Sequence, residues 1–174
     1  MSRLQNAPVV AFIGLGGNLG DPLATLRSAV PRLMTVPRSR FLGASRFHRT
    51  PAWGERDQAD FVNAVVAIET ALAPKILLDE LLGIERQFGR QRGADGSGNV
   101  RWGPRTLDLD ILLYGAITLD TPSLKLPHPH LHERAFALVP LLELVDDIDI
   151  PGQGSARAAL ARLDRSGIQA LAER

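Results

Sequence analysis

The sequence predicts an α+β fold with a ferredoxin-like β-α-β-β-α-β core, an antiparallel sheet with helices packed on one face and extra C-terminal helices. Three observations predict it. Apolar runs of strand length are interleaved with two segments whose apolar residues recur at helical spacing. Their order along the chain is strand, helix, strand, strand, helix, strand. A chain of 174 residues, 45% hydrophobic and 22% charged, suits a single domain with its own core, expected to span residues 1–174.

The first strand is the apolar run Val9 to Leu15, which enters a turn at Gly16-Gly17-Asn18-Leu19-Gly20-Asp21. Asp21 is a suitable N-cap with Pro22 at the first helical position, and Leu23, Leu26, Val30, Leu33 and Met34 follow at helical spacing. Arg40–Arg49 and Phe61–Thr70 have strand composition, the second with Val62, Ala64, Val66 and Ile68 on one face of a period-two pattern. Pro74 opens a second helix carrying Leu77, Leu81, Ile84 and Phe88 on one side, with Gly89 as its stop. A glycine-rich, arginine-flanked loop from Arg90 to Pro104 precedes a strand at Thr106–Tyr114, and short helices are expected after Leu131 and near Ala156–Leu163.

Composition removes several classes of function. Twenty basic against nineteen acidic residues leave a net charge of +1, so bulk attraction to nucleic acid or to an anionic membrane is not the binding device and any anion site is local. The chain has no cysteine, which excludes disulfides and thiolate zinc sites. The segment Met1–Pro8 lacks a signal pattern, and the apolar stretch Ala135–Val145 is interrupted by Pro140 and Glu143 and is too short to span a bilayer. A cytoplasmic location is expected.

The sharpest chemical feature is Leu107-Asp108-Leu109-Asp110-Ile111. Residues at i and i+2 of a strand share a face, so the two carboxylates converge, and hard oxygen donors of this kind favour Mg²⁺ or Mn²⁺. A solvated strand face with a leucine core beneath it is the alternative. Arg86, Arg90, Arg92, Arg101 and Arg105 flank the glycine-rich loop, and guanidinium forks bind phosphate oxygens bidentately. Such arginines can equally pair with Glu85 or Asp95 at the surface. His128, His130 and His132 alternate beside Pro127 and Pro129, where they could reach a phosphate, bind zinc or cap the helix that follows. Arg49-Thr50-Pro51-Ala52-Trp53-Gly54 with Phe61 and Asn63 offers a stacking surface and an amide for an aromatic heterocycle, or ordinary lid packing. Gly14-Leu15-Gly16-Gly17-Asn18 lacks the Gly-Lys-Ser/Thr ending of a nucleotide P-loop, and a strand-to-helix turn accounts for its glycines.

Taken together, these segments resemble the 6-hydroxymethyl-7,8-dihydropterin pyrophosphokinases over nearly the whole chain. The resemblance rests on Arg101-Trp102-Gly103-Pro104-Arg105-Thr106-Leu107-Asp108-Leu109-Asp110-Ile111, with Gly16–Asp21, Asp57–Ala64, Glu85–Arg90, Pro127-His128-Pro129 and Glu133–Phe136 in support. It implies transfer of diphosphate from ATP to the hydroxymethyl group of a reduced pterin, by in-line attack at the β-phosphorus with AMP leaving. It implies two Mg²⁺ ions at Asp108 and Asp110, and Arg90 and Arg101 beside them as catalytic residues. Nucleotide contacts would come from Glu85, Arg92, Arg105, Ile111, His128 and Arg134. Pterin contacts would come from Thr50, Pro51, Trp53, Phe61, Asn63, Trp102 and Phe136, with Phe61 and Phe136 sandwiching the ring. The chain departs from that pattern at Gly17 (commonly serine), His48 (commonly tyrosine) and His130 (often arginine), and its loop from Gly93 to Val100 is longer than in compact members.

Two other classes use parts of the same pattern. The β-α-β-β-α-β order also describes an RNA-binding module, but that module needs exposed aromatics on its central strands, and this chain has one tyrosine and an acidic strand there. A nucleotidyl transferase could use the same paired carboxylates to attack the α-phosphorus, and residue spacing does not choose between phosphorus atoms. The expected partners are ATP and a reduced pterin alone, with no nucleic acid and no membrane, and the protein is expected to be a monomer.

Overall fold

Strand β1 (Val9–Gly17) lies inside the main sheet, pairing antiparallel with β4 (Phe61–Thr70) on one side and β5 (Asp108–Tyr114) on the other. The computed structural model describes residues 7–52, 57–89 and 106–172. Strands β2 (Ser39–Ala44) and β3 (His48–Thr50) both pair with β4, and β10 (Gln169–Ala170) extends the sheet beyond β3. This is the antiparallel order of a ferredoxin-like α+β core. β6 (Leu119–Asp120) and β7 (Lys125–Leu126) form a small separate hairpin, as do β8 (Asp149–Ile150) and β9 (Gly154–Ser155).

Period-two alternation sends Ala11, Ile13 and Leu15 of β1, Val62, Ala64, Val66 and Ile68 of β4, and Leu109 and Ile111 of β5 to one side of the sheet. That side is covered by α1 (Pro22–Leu33) and α2 (Pro74–Gln87) through Leu26, Ala29, Leu33, Leu77, Leu81 and Ile84. Helix α1 begins as expected, with Asp21 Oδ1 accepting the Ala24 N–H at 3.1 Å and Pro22 in the first turn. Met34 is 52% exposed at its end and is not part of the core face. Gly89, at φ +83°, ends α2 in the left-handed conformation that glycine accepts without strain.

Helices are not confined to one face, as the sequence led us to expect. Phe12, Val65, Ala67, Leu112 and Leu113 project from the opposite side and pack on α3 (Ala135–Leu144) and α4 (Ala156–Leu160). The two sides are nevertheless unequal, because α3 covers only part of the second face.

Two irregularities differ from the expected elements and have local causes. The single strand expected over Arg40–Arg49 is broken into β2 and β3, and Ser45 fills the gap. Its N–H donates to Val65 O at 2.8 Å, while its buried Oγ accepts the Val65 N–H at 2.9 Å in place of a ladder carbonyl. In β5, the pairing with β1 shifts register between Phe12 and Ile13, leaving Leu112 as an extra residue. Removing the Ser45 hydroxyl strands a buried donor, so Ser45→Ala should lower unfolding free energy by about 1–3 kcal/mol, read from the shift in urea midpoint at unchanged slope.

Candidate active site

The site lies on the incompletely covered side of the sheet, and cross-strand register builds it. Asp108 is level with Gly16 of β1, which is level with Asn63 of β4, which is level with His48 of β3. One step along, Asp110 is level with Gly14, and Gly14 with Val65. The half-buried carboxylates of Asp108 and Asp110 therefore face Asn63 and Val65, respectively, across a strip of β1 that carries no side chains. A cavity of about 480 Å³ opens there. The sequence reading assigned these glycines to a turn, but Gly14 and Gly16 sit within β1 and are absent from the residues with positive φ. Their function is the missing Cβ. A Cβ at Gly16 would lie 2.8 Å from Asn63 Oδ1, and one at Gly14 would lie 3.2 Å from Leu112 Cδ2.

The far end of the floor is polar and fixed. Asn63 Nδ2 donates to Thr50 Oγ1 at 2.6 Å, both residues being buried, and Thr50 is level with Phe61. Asn18, at the end of β1, donates to Gln58 Oε1 at 3.0 Å and to Ala59 O at 3.1 Å, which ties the chain just before β4 to the central strand.

The opposite wall comes from the segment between β7 and α3. The carbonyl of Leu112, the extra residue of β5, accepts the His128 N–H at 2.9 Å and so anchors this segment over the aspartates. Arg134 is 8% exposed, with its guanidinium carbon 5.6 Å from the Phe136 ring centroid in a cation–π contact. His128 Nδ1 accepts the His130 N–H at 3.3 Å, and its Nε2 lies 3.5 Å from Arg134 Nη1. A second ring proton would meet a donor at either nitrogen. Burial first, then the charge of Arg134 and the neighbouring His130, lower the His128 pKa from 6.5 to about 4, with Asp108 opposing.

Of the residues singled out in the sequence, Asp108, Asp110, Thr50, Pro51, Phe61, Asn63, His128, His130, Arg134 and Phe136 line this one cavity. Glu85 and Ile111 are elsewhere. Glu85, 1% exposed, accepts the Leu109 N–H at 2.8 Å, and Ile111 packs in the core beneath α1 and α2. Trp53, Arg90, Arg92, Arg101, Trp102 and Arg105 lie outside the described residues, as does the glycine-rich loop. Gly14, Gly16 and Lys125 line the cavity without having been singled out as site residues. The glycines had a legible signal, since they recur at the same two-residue spacing as the aspartates. Lys125, which pairs with Asp120 at 3.3 Å across the small hairpin, had none. Among the described residues, no group of three or more His, Cys, Asp or Glu could hold a metal, so the three alternating histidines do not form a zinc site by themselves.

The family model described as 7,8-dihydro-6-hydroxymethylpterin-pyrophosphokinase (HPPK) matches residues 12–146. A 2-amino-4-hydroxy-6-hydroxymethyldihydropteridine pyrophosphokinase of Methylorubrum extorquens is 46% identical over 159 residues, 91% of this chain and 96% of that protein. One of the same name from Pseudomonas aeruginosa is 41% identical over 160 residues, 92% of this chain and 95% of that protein. Among solved structures, a Plasmodium falciparum HPPK-DHPS with STZ-DHP aligns at TM-score 0.68 and 12% identity, over 92% of this chain and 46% of that one. An HPPK-DHPS in complex with substrates aligns at TM-score 0.67 and 12% identity, over 95% of this chain and 47% of that one. The chain thus spans about half the length of those two-part proteins, and the likeness to them is one of fold.

Gly16→Ala should displace the Asn63 amide while leaving the fold intact, which the Asn63 side-chain NH₂ resonances and an unchanged far-UV spectrum would report. The depressed His128 pKa sets a pH window. Between about pH 6.5 and about 4 the unfolded chain binds a proton that folded His128 refuses, so this contribution to stability is present above the window and is lost as pH falls through it. His128→Asn should lose less stability than the parent across that window in paired denaturation titrations.

Proposed function

The chain belongs to the 7,8-dihydro-6-hydroxymethylpterin-pyrophosphokinase family, and on that premise we propose that the glycine-floored cavity is where it transfers diphosphate from ATP to the hydroxymethyl group of 6-hydroxymethyl-7,8-dihydropterin. Membership makes the enzyme a diphosphotransferase of folate biosynthesis with ATP as co-substrate. The observation that carries the site assignment is the juxtaposition, on one sheet face, of the Asp108–Asp110 pair with the Asn63–Thr50 amide pair across Gly14 and Gly16.

The two ends suit the two substrates. At one end, Asn63 presents a donor and an acceptor to a heterocycle edge, with Thr50 holding the amide in orientation and Phe61 and Phe136 available to stack on the ring. Trp53 and Trp102 join this end by resemblance. At the other end, Asp108 and Asp110 offer only hard oxygen donors on an unobstructed floor. That suits Mg²⁺, a cation that completes its shell with phosphate oxygens and water. Two such ions, when bound, would neutralise charge on the phosphates.

Transfer through a loose transition state needs alignment and charge neutralisation more than a strong base. Arg134 supplies a buried positive charge, and His128, held neutral, supplies a ring hydrogen bond without adding charge. Arg90, Arg92, Arg101 and Arg105 are proposed phosphate ligands on their place in the motif. Glu85 and Ile111 carry a nucleotide role through resemblance alone, given their burial away from the cavity. No helix among the described residues is long and apolar enough to cross a membrane. We extend the reading to one domain acting as a cytoplasmic monomer, which sedimentation of the purified chain and cell fractionation would check.

The direct test is to incubate the protein with ATP, Mg²⁺ and the dihydropterin and identify the phosphorus products. AMP with pterin diphosphate, lost on chelation, supports attack at the β-phosphorus. Free pyrophosphate would place attack at the α-phosphorus, and ADP would mean transfer of a single phosphoryl group. Asp108→Asn and Asp110→Asn should each lower kcat by at least about 10³-fold with an unchanged circular dichroism spectrum. Near-normal Mg²⁺-dependent turnover in either variant would overturn the metal assignment.

A further inference from the structure

A polar cluster beside the cavity, with no part in the transfer chemistry, joins the two elements that form the cavity's heterocycle end. The His48 side chain is 3% exposed, and its Nε2 lies 2.8 Å from Glu143 Oε1. A carboxylate accepts only, so Nε2 carries the proton and donates. His48 Nδ1 is buried with no hydrogen-bond partner among the described residues, leaving the Glu143 contact as the ring's polar anchor. Glu143 is held in turn by Arg46, whose backbone N–H donates to Oε2 at 2.8 Å and whose Nη2 donates to Oε1 at 3.0 Å.

The two tied elements are those whose other ends shape the cavity. On β3, His48 and Thr50 are two residues apart and share a face; Thr50 takes the Asn63 amide and is level with Phe61. On α3, Glu143 follows Phe136 by seven residues, about two turns, and so lies on the same side of the helix. The apolar contacts of α3, through Ala137, Leu138 and Leu141, resist its lifting from the sheet but are non-directional and permit it to slide. The hydrogen bonds to Glu143 from His48 Nε2 and from the Arg46 backbone N–H are directional and together fix the helix along the strand.

We propose that His48 and Glu143 are positioning residues that set the placement of Phe136 against Phe61 and Asn63, and through it the affinity and orientation of the heterocyclic substrate. The proposal rests on the functional reading above. It also gives a use to a position where this chain has histidine and the family it resembles commonly has tyrosine.

Equilibrium binding, measured without turnover, tests it. His48→Phe keeps a ring of similar size and drops the donor, whereas His48→Gln keeps an N–H near the position of Nε2. Fluorescence titration with the dihydropterin alone should show Kd raised about tenfold in His48→Phe and within about twofold of the parent in His48→Gln. The Kd of a non-hydrolysable ATP analogue should stay within about twofold in both, and the steady-state KM for pterin should rise with little change in KM for ATP. An unchanged pterin Kd in His48→Phe, whatever its melting temperature, would overturn the proposal by showing a purely structural tie. Equal losses of pterin and nucleotide affinity would overturn it as well. If the parent protein itself fails to bind the dihydropterin, the functional reading falls, and this inference with it.

Discussion

The structure depends on the two-residue period of β1 and on what that period leaves out. Ala11, Ile13 and Leu15 fill one side of the sheet with apolar bulk, while on the other side Gly14 and Gly16 leave the strand bare beyond Phe12. One strand thus supplies both the core that holds the domain together and the hollow in which polar groups from its neighbours can meet. Because β4 and β5 flank β1, the carboxylates and the amide pair approach the same hollow from opposite sides, separated by the width of a single strand. The wall of this hollow is hung on it from β5, where the Leu112 carbonyl holds the His128 segment in place.

The electrostatic arrangement follows from that placement. Two carboxylates at i and i+2 repel, and the opposing wall brings a buried guanidinium and imidazoles toward them. His128 feels both signs: Asp108 favours its protonation, while burial and Arg134 disfavour it and prevail. A neutral ring beside a fixed positive charge leaves the site's balance of charge insensitive to His128 titration near neutrality. Arg134 lies against Phe136, so the group that would face phosphates and the group that would face a heterocycle are packed as one unit at the start of α3.

Much of this was legible in the sequence. The element order, the core positions of β4 and α2 and the capped start of α1 follow from periodicity and turn residues, because each is decided within a few residues of the chain. That Asp108 and Asp110 share one face was legible for the same reason, since a strand puts i and i+2 on one side. Placing Thr50, Asn63, His128, Arg134 and Phe136 in one cavity needed the family resemblance, because their meeting depends on strand register and on α3 crossing the second face. The break between β2 and β3 was hidden, since it turns on the Ser45 hydroxyl replacing a carbonyl. Glu85 lies in a matching segment, and its burial, with one carboxylate oxygen accepting the Leu109 N–H, was not legible in the motif. Gly14 and Gly16 were misassigned to a turn because glycine signals backbone freedom more often than the need for a bare surface.

The extra residue in β5 bears on how this chain can change in length. Alternation along a strand is a parity rule, and Leu112 resets the parity between the half that carries Asp108 and Asp110 and the half that carries Leu113 and Tyr114. Deleting Leu112 would restore an unbroken register with β1 and leave Asp108, Asp110, Leu113 and Tyr114 on their present faces, but it would remove the carbonyl that accepts the His128 N–H. The extra residue thus serves the wall of the hollow, where its carbonyl anchors the His128 segment, and not the two faces of the strand, which would alternate correctly without it.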